Sequence, residues 1–254
     1  MDAVVLCLPH DLHISFAVAA AAAGKHILVE KPMALNEAEA QKMVAAADLA
    51  GVQLSVGQST RFLNPFQVAK MLLEQRRIGD VVQVTHQRIF WVEKLSTDWR
   101  KTEACGGLYL PLFGSHDIDA MLWLLDDQPA QVWSAIRSVS HVSDGDSDGF
   151  VGLEFSDGKL ASLAFSVRSR QSRSETIFVG TNATLSISRN VLMLDGETVD
   201  LPEAENAFTR QMRAFVDALL DGAETPTQGR DVLKVMRTLD LVRQASDAGT
   251  SIMF

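Results

Sequence analysis

Two short stretches hold residue types able to move a proton. The first is Glu30-Lys31-Pro32, directly after the apolar run 26–29. A lysine there can donate to an oxyanion or a carbonyl, and desolvation lowers an amine's pKa toward the range where proton transfer is efficient. The plain alternative is a surface lysine ahead of a turn proline. The second stretch is residues 106–119, GGLYLPLFGSHDID. Its glycines permit close backbone approach to a ligand. His116 opens a helix, where a neutral imidazole can serve as general acid or base. Asp119, three residues on, shares that helical face and is placed to orient the ring. Ser115 and Asp117 are accounted for by a helix N-cap and a first turn facing the positive end of the helix dipole. A third polar stretch is Pro9-His10-Asp11-Leu12-His13. His10 and His13 could begin a metal site, but no third and fourth ligand stands at useful spacing. No metal is expected, and a loop lining a cofactor cleft fits better.

These residues sit on elements that the hydrophobic pattern makes legible. Residues 3–8 (AVVLCL), 26–29 and 52–56 are short continuous apolar runs, the pattern of strands buried on both faces in a parallel sheet. Between them, 14–23 and 36–50 read as helices closed by Gly24 and Gly51. Asn36 with Glu39 makes a capping-box pattern at the second helix start. The order strand–helix–strand–helix–strand implies right-handed crossovers. Open parallel sheets bind ligands beyond the carboxyl ends of their strands, which is where residues 9–13 and 30–32 fall.

After Gly57 the grammar changes. Helices are expected over 65–75 and 117–125, and a long strand over 80–92. Strands are expected at about 131–139, 149–155, 160–169, 176–180 and 184–188, with a hairpin turn at Ser156-Asp157-Gly158. Hairpin links make antiparallel neighbours. Amphipathic helices at 206–220 and 230–248 follow. The acidic stretch 143–148 lacks the spaced ligands of a calcium loop and reads as a solvated loop.

The 254 residues are 47% apolar and 22% charged, enough for a sizeable core and too apolar for long disorder. A net charge of −9 argues against nucleic acid or an anionic membrane surface as partner. No Lys or Arg precedes the first apolar run, and Pro9, His10, Asp11 and His13 interrupt it, so it is not a signal peptide. No run is long enough to span a bilayer. Two cysteines make no disulfide framework; Cys7 reads as buried and Cys105 as more exposed. A cytoplasmic setting is expected.

Taken together, DAVVLCLPHDLH, the segment AGKHILVEKPMALNEAEA, VGQSTRF, IGDVVQV, DWR and GSHDID, in this order, resemble the Gfo/Idh/MocA oxidoreductases, the glucose–fructose oxidoreductase and inositol dehydrogenase relatives. The likeness runs over nearly the whole chain. EKP alone is weakly specific; EKP between AGKH and a helix, with H-x-x-D about eighty-five residues on, is fairly specific. The resemblance implies NAD or NADP as cofactor, a sugar, cyclitol or related polyol as substrate, and a homo-oligomer formed through the antiparallel sheet. It implies that Lys31 bonds the nicotinamide ribose side and the reacting hydroxyl, that His116 takes the proton, and that Asp119 supports it. It places Pro9, His10, His13, Glu30, Pro32, Arg61, Trp99 and Arg100 around the cofactor, with Pro32 often following a cis bond.

The fold expected is α/β plus α+β. Residues 1–58 form the C-terminal portion of a Rossmann-type parallel sheet. Residues 59–254 form a larger substrate-binding and oligomerisation domain, with an open, mostly antiparallel sheet flanked by helices. Two departures from the family pattern stand out. Many members carry Asp four residues before the histidine, and here that residue is Leu112. No two of the sixteen glycines are separated by a single residue, so G-x-G-x-x-G is absent, and some sixty or seventy residues of such a domain are expected to be missing. Two other readings remain at this level: a non-catalytic relative acting as a binding or interaction protein, and an unrelated metal-dependent hydrolase using His10, His13 and His116.

Overall fold

The computed structural model describes residues 1–102 and 105–254. Its first layer is a three-stranded parallel sheet in the order β1 (Ala3–Leu6), β2 (His26–Val29), β3 (Leu54–Val56). Helices α1 (His13–Ala22) and α2 (Glu37–Ala50) make the crossovers and pack on each other. Asn36 caps α2, its Oδ1 accepting from the Glu39 N–H at 2.9 Å. Glu39 reaches back to the Leu35 N–H (3.2 Å) and not to Asn36 as in a standard capping box.

The second layer is a nine-stranded sheet. It is built from β4 (Val81–Trp91), β5 (Gln131–Arg137), β6 (Asp148–Glu154), β7 (Leu160–Ser166), β8 (Arg168–Gly180), β9 (Thr184–Ser188), β10 (Val191–Leu194), β11 (Glu197–Thr198) and β12 (Ile252–Met253). The strand order is β11-β10-β9-β8-β4-β7-β6-β5-β12. Every pair is antiparallel except β4 with β7. β4 thus lies at the centre, between two strands that come much later in the chain. The predicted antiparallel sheet is present, with one long strand, β8, where only 176–180 was expected.

Alternation along these strands splits the sheet into two faces. The inner face buries Val132, Val151, Leu153, Leu163, Phe165, Phe178 and Leu185. The helices α3 (Asn64–Glu74), α4 (Ser115–Leu125), α5 (Ala207–Asp221) and α6 (Gly229–Ala248) complete the fold. Helix α6 packs on β5, α2 and α4, so it touches both layers. Its start comes close to β3: a Cβ on Gly229 would lie 2.9 Å from Leu54 Cδ2. Beside it, the Val56 N–H donates to Thr227 O at 2.9 Å, so the residues before α6 bond the free edge of β3.

The two cysteines reverse their expected places: Cys7 is exposed and Cys105 is buried. β1 ends at Leu6, so Cys7 lies beyond the strand. Nor is the 143–148 stretch a solvated loop throughout, because Asp146 and Ser147 are buried in it. No described helix is long and apolar enough to cross a membrane.

Candidate active site

The backbone leaves the parallel sheet after Val29. The Glu30 N–H donates to Leu6 O at 3.0 Å, level with the end of β1. The Glu30 carboxyl lies over Gly57, where a Cβ would stand 3.2 Å from it. The Lys31–Pro32 peptide is cis. Lys31 Nζ then crosses to the second layer and donates to Leu112 O at 2.6 Å. Leu112 belongs to a single π-helical turn, Leu110–Gly114, that runs straight into α4, and His116 lies four residues further on. The amine of one layer is therefore fastened to the turn that carries the imidazole of the other.

Burial lowers Lys31 to about 8; Glu30 opposes the shift and the positive Arg100 and Arg88 add to it. Burial also takes His116 down to about 3, with Lys31 the next largest contributor. That mutual effect makes the two groups electrostatic neighbours. His116 Nδ1 is buried and has no hydrogen-bond partner among the described residues.

Why the π turn sits there follows from Gly106, Gly107 and Asp146. Both glycines have positive φ, 95° and 100°. A Cβ on Gly107 would stand 2.1 Å from Asp146 Oδ1. The Asp146 carboxylate accepts from the Leu108 N–H at 3.0 Å and the Leu110 N–H at 2.5 Å, and Asp146 O accepts from the Tyr109 N–H at 2.9 Å. Three amides ahead of the helix are thus satisfied by one residue. Burial pushes Asp146 up to about 6 in spite of these bonds.

Asp117 and Asp119 each have partners the spacing did not foresee. Asp119 does not orient His116. It is fully buried and accepts from Arg61 Nε (2.9 Å) and Nη2 (2.6 Å), while Arg61 Nη1 donates to Pro226 O at 3.0 Å. Arg61 is itself buried, so its guanidinium is consumed in joining the turn after β3 to α4 and does not face a cofactor. Asp117, two residues earlier and so on the other side of the helix, accepts from Tyr109 Oη (2.5 Å) and Arg88 Nη1 (2.8 Å) and lies 3.3 Å from His86 Nε2. Burial alone would raise Asp117. Its neighbours His86 and Arg88, with the Tyr109 hydroxyl, outweigh it and hold the carboxyl well below its usual range. His86 and Arg88 alternate on the inner face of β4, opposite Thr176 and Ser174 of β8. Together with α4 they enclose a cavity of about 340 Å³ that reaches His116.

The 9–13 turn closes the other side. His10 is buried, its Nδ1 3.1 Å from Cys105 O, and its ring meets Trp99 edge-on at 4.7 Å. Burial lowers it to about 4, against the Cys105 bond; His13, Lys31 and Arg100 lower it further. The Arg100 guanidinium lies over the Trp99 ring at 4.8 Å. His13 is fully buried with its nitrogens 2.9 Å from Pro32 O and 3.1 Å from Leu8 O. It clips the turn after β1 to the cis-proline turn and is closed to a ligand. No cluster of metal-ligating side chains occurs among the described residues.

Residues 1–58 match the oxidoreductase family with an NAD-binding Rossmann fold, and residues 66–186 match the Gfo/Idh/MocA C-terminal domain. The chain belongs to the Gfo/Idh/MocA oxidoreductase family. Among Gfo/Idh/MocA relatives, it is 29% identical over 265 residues to the 1,5-anhydro-D-fructose reductase of Ensifer adhaerens, a match covering 98% of this chain and 78% of the reductase. It is 30% identical over 194 residues to the 2,7-anhydro-N-acetylneuraminate hydratase of Escherichia coli, covering 74% of this chain and 51% of the hydratase. The chain spans between about half and four fifths of the length of such curated relatives. The crystal structure of GenD2 from gentamicin A biosynthesis, in complex with NAD, superposes with a TM-score of 0.86 at 26% identity, covering 98% of this chain and 77% of GenD2.

The residues at the crevice suit the nicotinamide end of such a cofactor. Gln58 Oε1 and Arg100 Nε are buried without partners among the described residues. Gly57 leaves room for the Glu30 carboxyl beside them. The spacing argument singled out Lys31 and His116, gave Asp117 only a place in the first helical turn, and did not single out His86, Arg88, Tyr109 or Asp146. For His86 and Arg88 a signal existed: two basic side chains two apart in a strand share a face with apolar Val84. For Asp146 there was none, since its partners are backbone amides thirty-six and thirty-eight residues away.

Proposed function

We propose that this chain is the catalytic part of an NAD- or NADP-dependent dehydrogenase or reductase acting on a sugar, cyclitol or related polyol in the cytoplasm. One observation carries the reading: the Lys31 ammonium rests on Leu112 O, one turn before His116. Glu30, Lys31, Pro9, His10, Trp99 and Arg100 face the cofactor, while Pro32, His13 and Arg61 hold the backbone that presents them.

When bound, the nicotinamide supplies hydride acceptance or donation at the substrate carbon. The chain's own residues handle the proton. His116 is held neutral at physiological pH, so its free Nδ1 accepts a hydrogen bond from the reacting hydroxyl. An imidazole at about 3 is too weak a base to retain that proton near neutrality. Lys31, at about 8, is better matched, and the proton comes to rest on its Nζ. This moves the base assigned from the sequence from His116 to Lys31. Asp117 compensates the positive charge that Lys31 and Arg88 bring to the crevice.

The outer face of the nine-stranded sheet exposes Trp133, Phe150, Leu160 and Val179, which supports a homo-oligomer formed through that face.

Steady-state turnover of polyols with NAD and NADP tests the reading. Lys31→Ala and His116→Ala each reduce kcat by roughly 10²- to 10⁴-fold, and alcohol oxidation rises with pH toward about 8 as the amine loses its proton. Full turnover by Lys31→Ala would refute the assignment. Leu112, where many relatives have Asp, favours a second reading as a binding protein; absence of NADH and NADPH binding in a fluorescence titration would decide for it.

A further inference from the structure

The cavity beside His116 has an unusual charge balance for a chain that is strongly acidic as a whole. Its lining includes two guanidinium groups, Arg88 and the exposed Arg189 at the rim, with His86, Asn190 and the neutral His116, and a single carboxylate, Asp117. That carboxylate is spent, since it already accepts from Arg88 and Tyr109 and lies against His86. Leu112 adds none. Arg189 lies on the two-residue turn between β9 and β10, with a left-handed backbone of φ 53°. It forms no ion pair among the described residues, although the chain carries more acidic than basic side chains. Lys31 and Arg100 add positive charge from the other wall of the crevice. A concave site of one sign with low-dielectric walls concentrates ligands of the other sign.

We propose that the substrate is a sugar acid, a polyhydroxylated ring or chain bearing a carboxylate that pairs with Arg189 at the end of the cavity away from Lys31. The inference rests on the reading of this site as a nicotinamide-dependent polyol dehydrogenase. The guanidinium fork matches a carboxylate in two parallel hydrogen bonds. Asn190, Ser174 and Thr176, which line the same cavity, supply hydrogen-bonding groups for the ring hydroxyls. The carbon that reacts is then at the opposite end of the molecule, toward His116. At about 340 Å³ the cavity has room for one ring with its substituents.

The test is calorimetric binding of D-glucuronate and D-gluconate against D-glucose and myo-inositol to the full chain, with and without NADH, at low and high salt. The acids bind at least tenfold tighter than the neutral compounds, and the preference shrinks as salt rises. In Arg189→Gln the ratio of acid to neutral affinity falls about ten- to a hundredfold. Equal affinity for acids and neutral polyols, or no binding of any, overturns the inference. An acid preference that Arg189→Gln leaves intact also overturns it. If NADH binds and a neutral polyol turns over in a Lys31-dependent way without any acid preference, this inference falls and the dehydrogenase reading stands. If the acids bind and NADH does not, the dehydrogenase reading falls and the anion site stands.

Discussion

Helix α4 carries two Arg–Asp pairs, two residues apart and on opposite sides, and they are built for different ends. Arg61–Asp119 is two-pronged and dry, with side chains 3% and 0% exposed. Arg88–Asp117 is a single contact with the arginine 29% exposed, and its carboxylate is shared with Tyr109 and His86. The first pair is bonded within the protein, with Arg61 also donating to Pro226 O, and joins the turn after β3 to α4. The second borders a cavity and sets the electrostatics of the crevice. Burial without access makes a joint; burial beside a cavity makes a site.

Three experiments press on this contrast. The largest effect is expected at the joint. Asp119→Asn leaves a buried guanidinium short of its partner and costs about 3–5 kcal/mol in urea denaturation, while turnover per folded molecule is kept. The pair Arg61→Met with Asp119→Leu recovers to within about 1 kcal/mol of the parent, because two desolvated charges are then removed together. A loss of turnover at unchanged stability in Asp119→Asn would erase the distinction between the pairs.

Next comes Asp117→Asn, which leaves the excess positive charge near Lys31 uncompensated. Its kcat/KM falls about a hundredfold, equivalent to roughly 2.7 kcal/mol. Its stability loss is smaller than that of Asp119→Asn, since Arg88 reaches water. Parallel steady-state and denaturation measurements separate the two variants.

The smallest effect sharpens the picture of the crevice side. His10 and His116 are held neutral to about 4 and about 3. Between pH 4 and 6 the unfolded chain binds protons at these histidines and the folded chain does not, so stability rises with pH. Asp146, raised to about 6, acts in the opposite sense, because the folded state takes its proton first. The three together leave about one proton, a rise of roughly 1.4 kcal/mol per pH unit near pH 5. Urea midpoints across that range check it: His10→Asn flattens the slope and Asp146→Asn steepens it.

The same contrast explains what could be read from residue order. The parallel layer was legible because each of its strands is an unbroken apolar run between helices, and Lys31 falls where such a sheet binds ligands. The pairing of Lys31 with the His116 turn followed from the family likeness and is visible here as a bond across eighty-one residues. The choice between Asp117 and Asp119 was not legible. Helical spacing puts His116 and Asp119 on one face, but Arg61, fifty-eight residues earlier, captures Asp119 first. The π turn was hidden for a similar reason: its cause is a carboxylate, Asp146, reached only when the second layer is assembled.

The free edge of β3 is bonded by Thr227 O, and Arg61 ties the adjoining turn to Pro226 O and to α4. A rocking motion that parted the layers would have to rupture all of these at once, together with the Lys31 tether. Hinge-type opening would therefore cost these bonds together.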